Sequence, residues 1–125
     1  MAELRLRIDL AGGGAIGPGK IALLEAVAAA GSIAGAARAL DMSYRRAWLL
    51  IDELNRQFAV PVVESRPGGK AGGGASLTGF GQELVARFRR IEACAQAAAA
   101  AELSDLDRLA GEGEAAAPKR LTRQG

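Results

Sequence analysis

Residues 31–58 read GSIAGAARALDMSYRRAWLLIDELNRQF, two helical patterns separated by a short break. Ser32 stands where an N-cap belongs, ahead of a small Ala-rich helix that ends near Leu40. Asp41 and Met42 make the turn, and Ser43 caps a longer helix that opens Tyr44-Arg45-Arg46. A serine oxygen accepts one of the N–H groups that a first helical turn leaves without a partner, so it marks where a helix starts. Two helices joined by three or four residues, the second opening on hydrogen-bonding and cationic side chains, have the pattern of a helix-turn-helix. The second helix of that motif enters the DNA major groove by its N-terminal end.

Within the stretch, Ile33, Ala36, Ala37 and Leu40 form the inward stripe of the first helix, and the small alanines let the next helix cross closely. The second helix is expected to bury Ala47, Ile51, Leu54 and Phe58, with Leu50 adding to that face and Arg45, Asp52 and Arg56 opposite. Trp48 lies one residue off the stripe and is expected in the core, its edge near the interface.

Upstream, Leu4, Leu6, Ile8 and Leu10 alternate with Glu3, Arg5, Arg7 and Asp9, the pattern of a half-buried strand over residues 3–10. A glycine-rich turn through Lys20 then leads to a helix over 19–30, with Pro18 where a helix start tolerates it. Ile21, Leu24, Val27 and Ala28 share its inner face, and Gly31 stops it. Downstream, residues 60–77 read as a β-hairpin with a glycine-rich tip carrying Lys70, and Pro61 makes its first strand an edge or stands at its start. Directly behind a recognition helix such a hairpin is a wing, able to reach phosphates through its amides, Arg66 and Lys70. Thr78 caps a long helix over 78–101 whose apolar positions, Phe80, Leu84, Phe88, Ile91, Ala95 and Ala98, keep helical spacing. That helix has more apolar face than one small core covers, so its outer half is expected to pair with its counterpart in a second chain.

The expected fold class is mainly α with a small β component: a winged helix-turn-helix over 1–103 with a long C-terminal dimerisation helix, followed by a short flexible tail over 104–125. In that tail, Lys119, Arg120 and Arg123 read as a solvated terminus.

At 125 residues the chain is one domain's worth, and a catalytic domain beside a DNA-binding one would not fit. Half the residues are apolar but only 4% aromatic, which favours helices packed through small side chains. The net charge of +2 places any basic footprint in local clusters. One cysteine, Cys94, and no histidine speak against an internal disulfide, a cysteine-cluster metal site and the commonest general base, so no cofactor and no metal are expected. Without a long apolar run or a signal-peptide core, the expected setting is cytoplasmic, with no membrane partner.

Gly14 to Lys20 has the skeleton of a phosphate-binding loop, glycine, four residues, glycine-lysine. The next position is Ile21 rather than a magnesium-holding hydroxyl, and Pro18 removes an amide from the cradle. No catalytic constellation is expected. Carboxylate neighbours such as Asp52 and Glu53 face different directions on a helix.

The run GSIAGAARALDMSYRRAWLLIDELN, followed by VESRPGGKAGGGASLTGFGQELV, resembles the N-terminal DNA-binding domain of the ModE-type molybdate-responsive transcriptional regulators, a winged helix-turn-helix related to the LysR-type domain. The likeness runs from about Gly19 to Arg89. It implies a homodimer, joined through the long helix 78–101, whose paired recognition helices read a palindromic operator in double-stranded DNA. Carried over by position, it implies DNA-facing roles for Ser43, Tyr44, Arg45 and Arg46, for Ser32, and for Arg66 and Lys70 in the wing. An arginine can pair bidentately with guanine, and serines and wing amides can hold phosphates. Residues 104–125 are too few for the molybdate-binding modules of full-length members, so the resemblance covers the DNA-binding domain only and leaves sensing to a separate protein or to none. Two other readings stand beside this one: a small oxyanion-binding protein using its glycine-rich loops as anion nests, and a non-specific architectural DNA-binding protein.

Overall fold

The computed structural model describes residues 1–67 and 73–116, with side chains through residue 111. Lys70 and the Lys119, Arg120 and Arg123 cluster lie outside the described residues. The elements are β1 (Ile8–Asp9), β2 (Ala15–Ile16), α1 (Pro18–Ala30), α2 (Ile33–Ala39), α3 (Tyr44–Gln57), β3 (Val63–Arg66), β4 (Gly74–Leu77), α4 (Gly79–Ala98) and α5 (Ala100–Ala116). The chain divides into two compact units, one over Arg5–Arg90 and the other joining Met1–Leu4 to the residues from Ile91 onward.

In the first unit α1 is the hub. It packs on α2, α3, β2 and β4, and a helix enclosed on several sides can be apolar on most of its circumference. Ile21, Leu23, Leu24 and Val27 are all fully buried. Leu23 thus joins the core although it lies off the expected stripe. Ala28, expected inside, is exposed because it sits in the last turn, just before the chain leaves the helix through Gly31. Ala36 and Ala37 of α2 and Ala47, Ile51 and Leu54 of α3 close on this hub, and Phe88 of α4 completes it. Full burial of a side chain the size of Phe88 contributes about 1.5–3 kcal/mol. At the rim, Arg89 of α4 grips Glu25 of α1 with two hydrogen bonds, Nε to Oε2 at 3.0 Å and Nη2 to Oε1 at 2.7 Å. That guanidinium holds the Glu25 carboxyl below its usual pKa, against the opposing effect of partial burial.

The N-terminal strand is shorter than the alternation suggests. Exposure alternates residue by residue from Met1 to Leu10, but only Ile8 and Asp9 are in a ladder, antiparallel to Ile16 and Ala15. Gly17 and Pro18 start α1 directly after β2, so no partner strand reaches residues 3–7. The second sheet pairs β3 with β4 antiparallel, Val63 opposite Leu77 and Arg66 opposite Gly74. β3 begins two residues after Pro61, where the ladder needs an N–H that proline lacks. Thr78 joins this wing to α4. Its hydroxyl accepts the Gly81 N–H at 2.9 Å and donates to the Pro61 carbonyl at 2.7 Å. Gly81 must be glycine there, because a Cβ would overlap the Val62 carbonyl oxygen.

The long helix expected over 78–101 stops at Ala98. Ala99 is a turn, and a second helix, α5, runs over residues placed in the tail from 104 onward. The Ala97–Ala101 run and, after Glu102, Leu103, Leu106, Arg108, Leu109 and Ala110 are good helix formers, and Glu102 in the first turn suits the positive end of the helix dipole. Within this second unit the N-terminal segment supplies hydrogen bonds: the Ala2 N–H donates to Asp107 at 2.6 Å, the Leu4 N–H to Gln96 Oε1 at 2.9 Å, and Gln96 Nε2 to the Ala2 carbonyl at 3.1 Å. Ile91 and Ala98, two of the apolar positions at helical spacing in the outer half of that helix, are exposed. Among the described residues no single helix is long and apolar enough to cross a membrane.

Candidate nucleic-acid interface

Two turns aim the helices of residues 31–58. Gly31 ends α1 at φ 77°, and its N–H returns to the Val27 carbonyl at 2.8 Å. α2 ends with Asp41 at φ 55°; the Met42 N–H reaches the Ala37 carbonyl at 3.0 Å and the Asp41 N–H reaches the Arg38 carbonyl at 3.2 Å. These two bonds make a Schellman motif, with Asp41 in the left-handed position that glycine usually fills. Each following helix starts on its serine. Ser32 Oγ accepts the Gly35 N–H at 2.9 Å, and Ser43 Oγ accepts the Arg46 N–H at 3.0 Å.

The result presents the first turns of α3 to solvent. Ser43, Tyr44, Arg45 and Arg46 are all exposed and adjoin one another. Among the described residues the guanidiniums of Arg45 and Arg46 make no hydrogen bond or ion pair. Trp48, expected in the core, is 45% exposed, because nothing in the first unit covers the flank of α3 it occupies. Leu49 beside it is equally exposed. Further along, the charges on α3 are paired: Arg56 with Asp52 at 3.0 Å, and Glu53 with Lys20 at 3.2 Å. Arg46 also borders an open groove of about 690 Å3 toward the N-terminal hairpin, where Arg7, Gly13 and Lys20 line the other wall.

Lys20, the lysine of the phosphate-loop skeleton, is engaged within the protein. Its ammonium donates to the Ala15 carbonyl at 2.8 Å and pairs with Glu53, so it is turned onto its own loop and α3. Gln57 Nε2 donates to the same carbonyl at 3.3 Å.

Residues 19–82, just over half of the chain, match the bacterial regulatory helix-turn-helix proteins of the lysR family. The chain belongs to that family. It is 46% identical over 87 residues to the molybdenum-pterin-binding protein MopA of Rhodobacter capsulatus, covering 70% of this chain and 33% of MopA. It is 40% identical over 88 residues to the molybdenum transport protein ModE of Azotobacter vinelandii, covering 70% and 33%. To the DNA-binding transcriptional dual regulator ModE of Escherichia coli K12 it is 44% identical over 68 residues, covering 54% and 26%. The chain therefore spans about a third or less of the length of these curated relatives.

In this family member the wing is tied to the helix-turn-helix at two points. The Gly31 carbonyl accepts the Ala75 N–H at 2.9 Å and Arg66 Nη2 at 3.2 Å, so Arg66 fastens β3 to the α1–α2 turn with one of its five donors. The second tie is Asn55. Its Oδ1 accepts the N–H groups of Val62 at 2.7 Å and Val63 at 3.1 Å, and its Nδ2 donates to the Val63 carbonyl at 3.1 Å. One side chain of α3 thus fixes where the wing begins. Asn55 was not singled out in the sequence, although asparagine inside a helix is a poor helix former and signals a hydrogen-bonding task.

Proposed function

We propose that this chain is the DNA-reading head of a transcriptional regulator of molybdenum-related genes, acting in the cytoplasm as a homodimer on a palindromic operator. The observation that carries this reading is the start of α3, a capped helix end offering Tyr44, Arg45 and Arg46 to solvent with the wing anchored behind it. In this reading Arg45 and Arg46 pair with base edges or phosphates in the major groove. Tyr44 and Ser43 contact the backbone beside them, and Ser32 does so at the start of α2. Arg66, and Lys70 in the loop outside the described residues, reach the flanking phosphates from the wing. The names of the relatives from Azotobacter and Escherichia support the link to molybdenum and to transcription. Dimerisation is supported by the apolar side chains Ile91, Leu106 and Leu109, which stand 40–59% exposed in the second unit, a surface suited to a second copy.

The test is a selection from random duplexes with the full chain, followed by titration over a salt series. The reading expects a two-fold symmetric site with half-sites about one helical turn apart, and an affinity that falls steeply with salt. Binding that depends on salt but is indifferent to sequence overturns it in favour of an architectural role.

A further inference from the structure

Leu49 and Trp48 are the residues of α3 that neither the core nor the charge pattern explains. At 100° per residue Leu49 lies about 160° from both Ala47 and Ile51, which places it on the side facing away from the core. Yet it is a leucine, 45% exposed, with Trp48 at 45% and Tyr44 at 55% beside it. Together with Arg45 these side chains line a shallow hollow of about 280 Å3 on the outward face. One turn further, Asp52 and Glu53 would repel phosphates, and both are occupied by cations of this chain. The surface open to a polyanion therefore ends at Leu49, and its floor is apolar while its rim is cationic. The base edge that offers an apolar group in the major groove is thymine, through its C5 methyl.

We infer that Leu49 and Trp48 are specificity-determining residues that pack on thymine methyl groups, so each half-site carries thymine where the second turn of α3 meets the groove. The inference rests on the DNA-reading function proposed above and names the base chemistry that this same helix selects. Arg45 supplies the polar part of the readout at the adjoining pair.

The experiment takes the duplex that the random selection returns and replaces its thymines one at a time with deoxyuridine, which removes the methyl and keeps every hydrogen-bonding group. For the full wild-type chain, one or two replacements in each half-site should weaken binding about fourfold each, the loss expected for one methyl returned to water. Leu49→Ala and Trp48→Ala should each abolish that sensitivity at a different thymine, whereas Arg45→Ala should weaken binding and retain it. Both apolar side chains are exposed, so thermal unfolding of the two variants should match the wild type and separate a lost contact from a lost fold. The inference is overturned if uracil at every thymine leaves wild-type affinity unchanged, or if both variants stay as sensitive as the wild type. Either result leaves the DNA-reading function standing, while a selection that returns no preferred duplex removes both together.

Discussion

The turn from α1 to α2 and the turn from α2 to α3 are built alike and supported differently. Each helix ends in a left-handed residue, Gly31 at φ 77° and Asp41 at φ 55°, and each next helix starts on a serine that accepts the N–H three residues on. Around Gly31 the wing closes in: its carbonyl carries Ala75 and Arg66, and a Cβ there would lie 3.4 Å from the Arg66 guanidinium. Asp41 is exposed and holds its turn through local bonds alone. The first turn therefore serves as the joint between helix-turn-helix and wing, its carbonyl carrying the wing while glycine answers the backbone demand. The second has only the backbone demand, which aspartate meets at a modest cost.

Exchanging the two residues breaks the comparison most sharply. Gly31→Asp should cost roughly 1–2 kcal/mol of left-handed strain, read from the urea midpoint at constant m. It should also speed hydrogen exchange at the Ala75 amide. Asn55→Ala tests the other tie of the wing. It leaves the amides of Val62 and Val63 without their acceptor, and about 1–3 kcal/mol should be lost in the same denaturation experiment.

The serines separate folding from reading. Ser32→Ala and Ser43→Ala should each lower stability by about 1 kcal/mol, but Ser43→Ala should weaken duplex binding more, since it frays the turn that carries Tyr44, Arg45 and Arg46. Equal losses of binding would mean that both turns act only as scaffold. Asp41→Gly, the reverse exchange, should raise stability by about 0.5 kcal/mol, the relieved strain exceeding the added backbone entropy.

The smallest effect concerns the helix that both turns brace against. Glu25 has its folded pKa lowered by Arg89, so its contribution is present at neutral pH and is lost as pH falls through that lowered value. Both partners are about two-fifths exposed, which limits the pair to roughly a few tenths of a kcal/mol. Comparing wild type with Glu25→Gln from pH 7 to pH 3 should show the difference vanish at the acid end.

The features legible in the sequence are those whose cause is local. Ser32, Ser43 and Thr78 could be read as helix starts because a cap bonds to the N–H of a residue only three positions on. The stripe of Ala47, Ile51 and Leu54 followed from helical spacing in the same way. Trp48 lies one position from that stripe and is exposed, because whether such a residue is covered depends on a neighbouring element rather than on its own helix. The break at Ala99 leaves no mark in a run of alanines that favours helix on both sides, and the residues from 104 onward read as tail although they continue α5.

By itself, then, the sequence determined the two capped helices, the hairpin behind them and the cationic start of α3, since each follows from bonds spanning a few residues. Only the tertiary structure decided how those parts are joined. That Arg66 and Asn55 tether the wing, that Lys20 turns onto its own loop, and that Leu49 and Trp48 remain uncovered on the outward face all depend on which distant backbone comes within hydrogen-bonding or packing range.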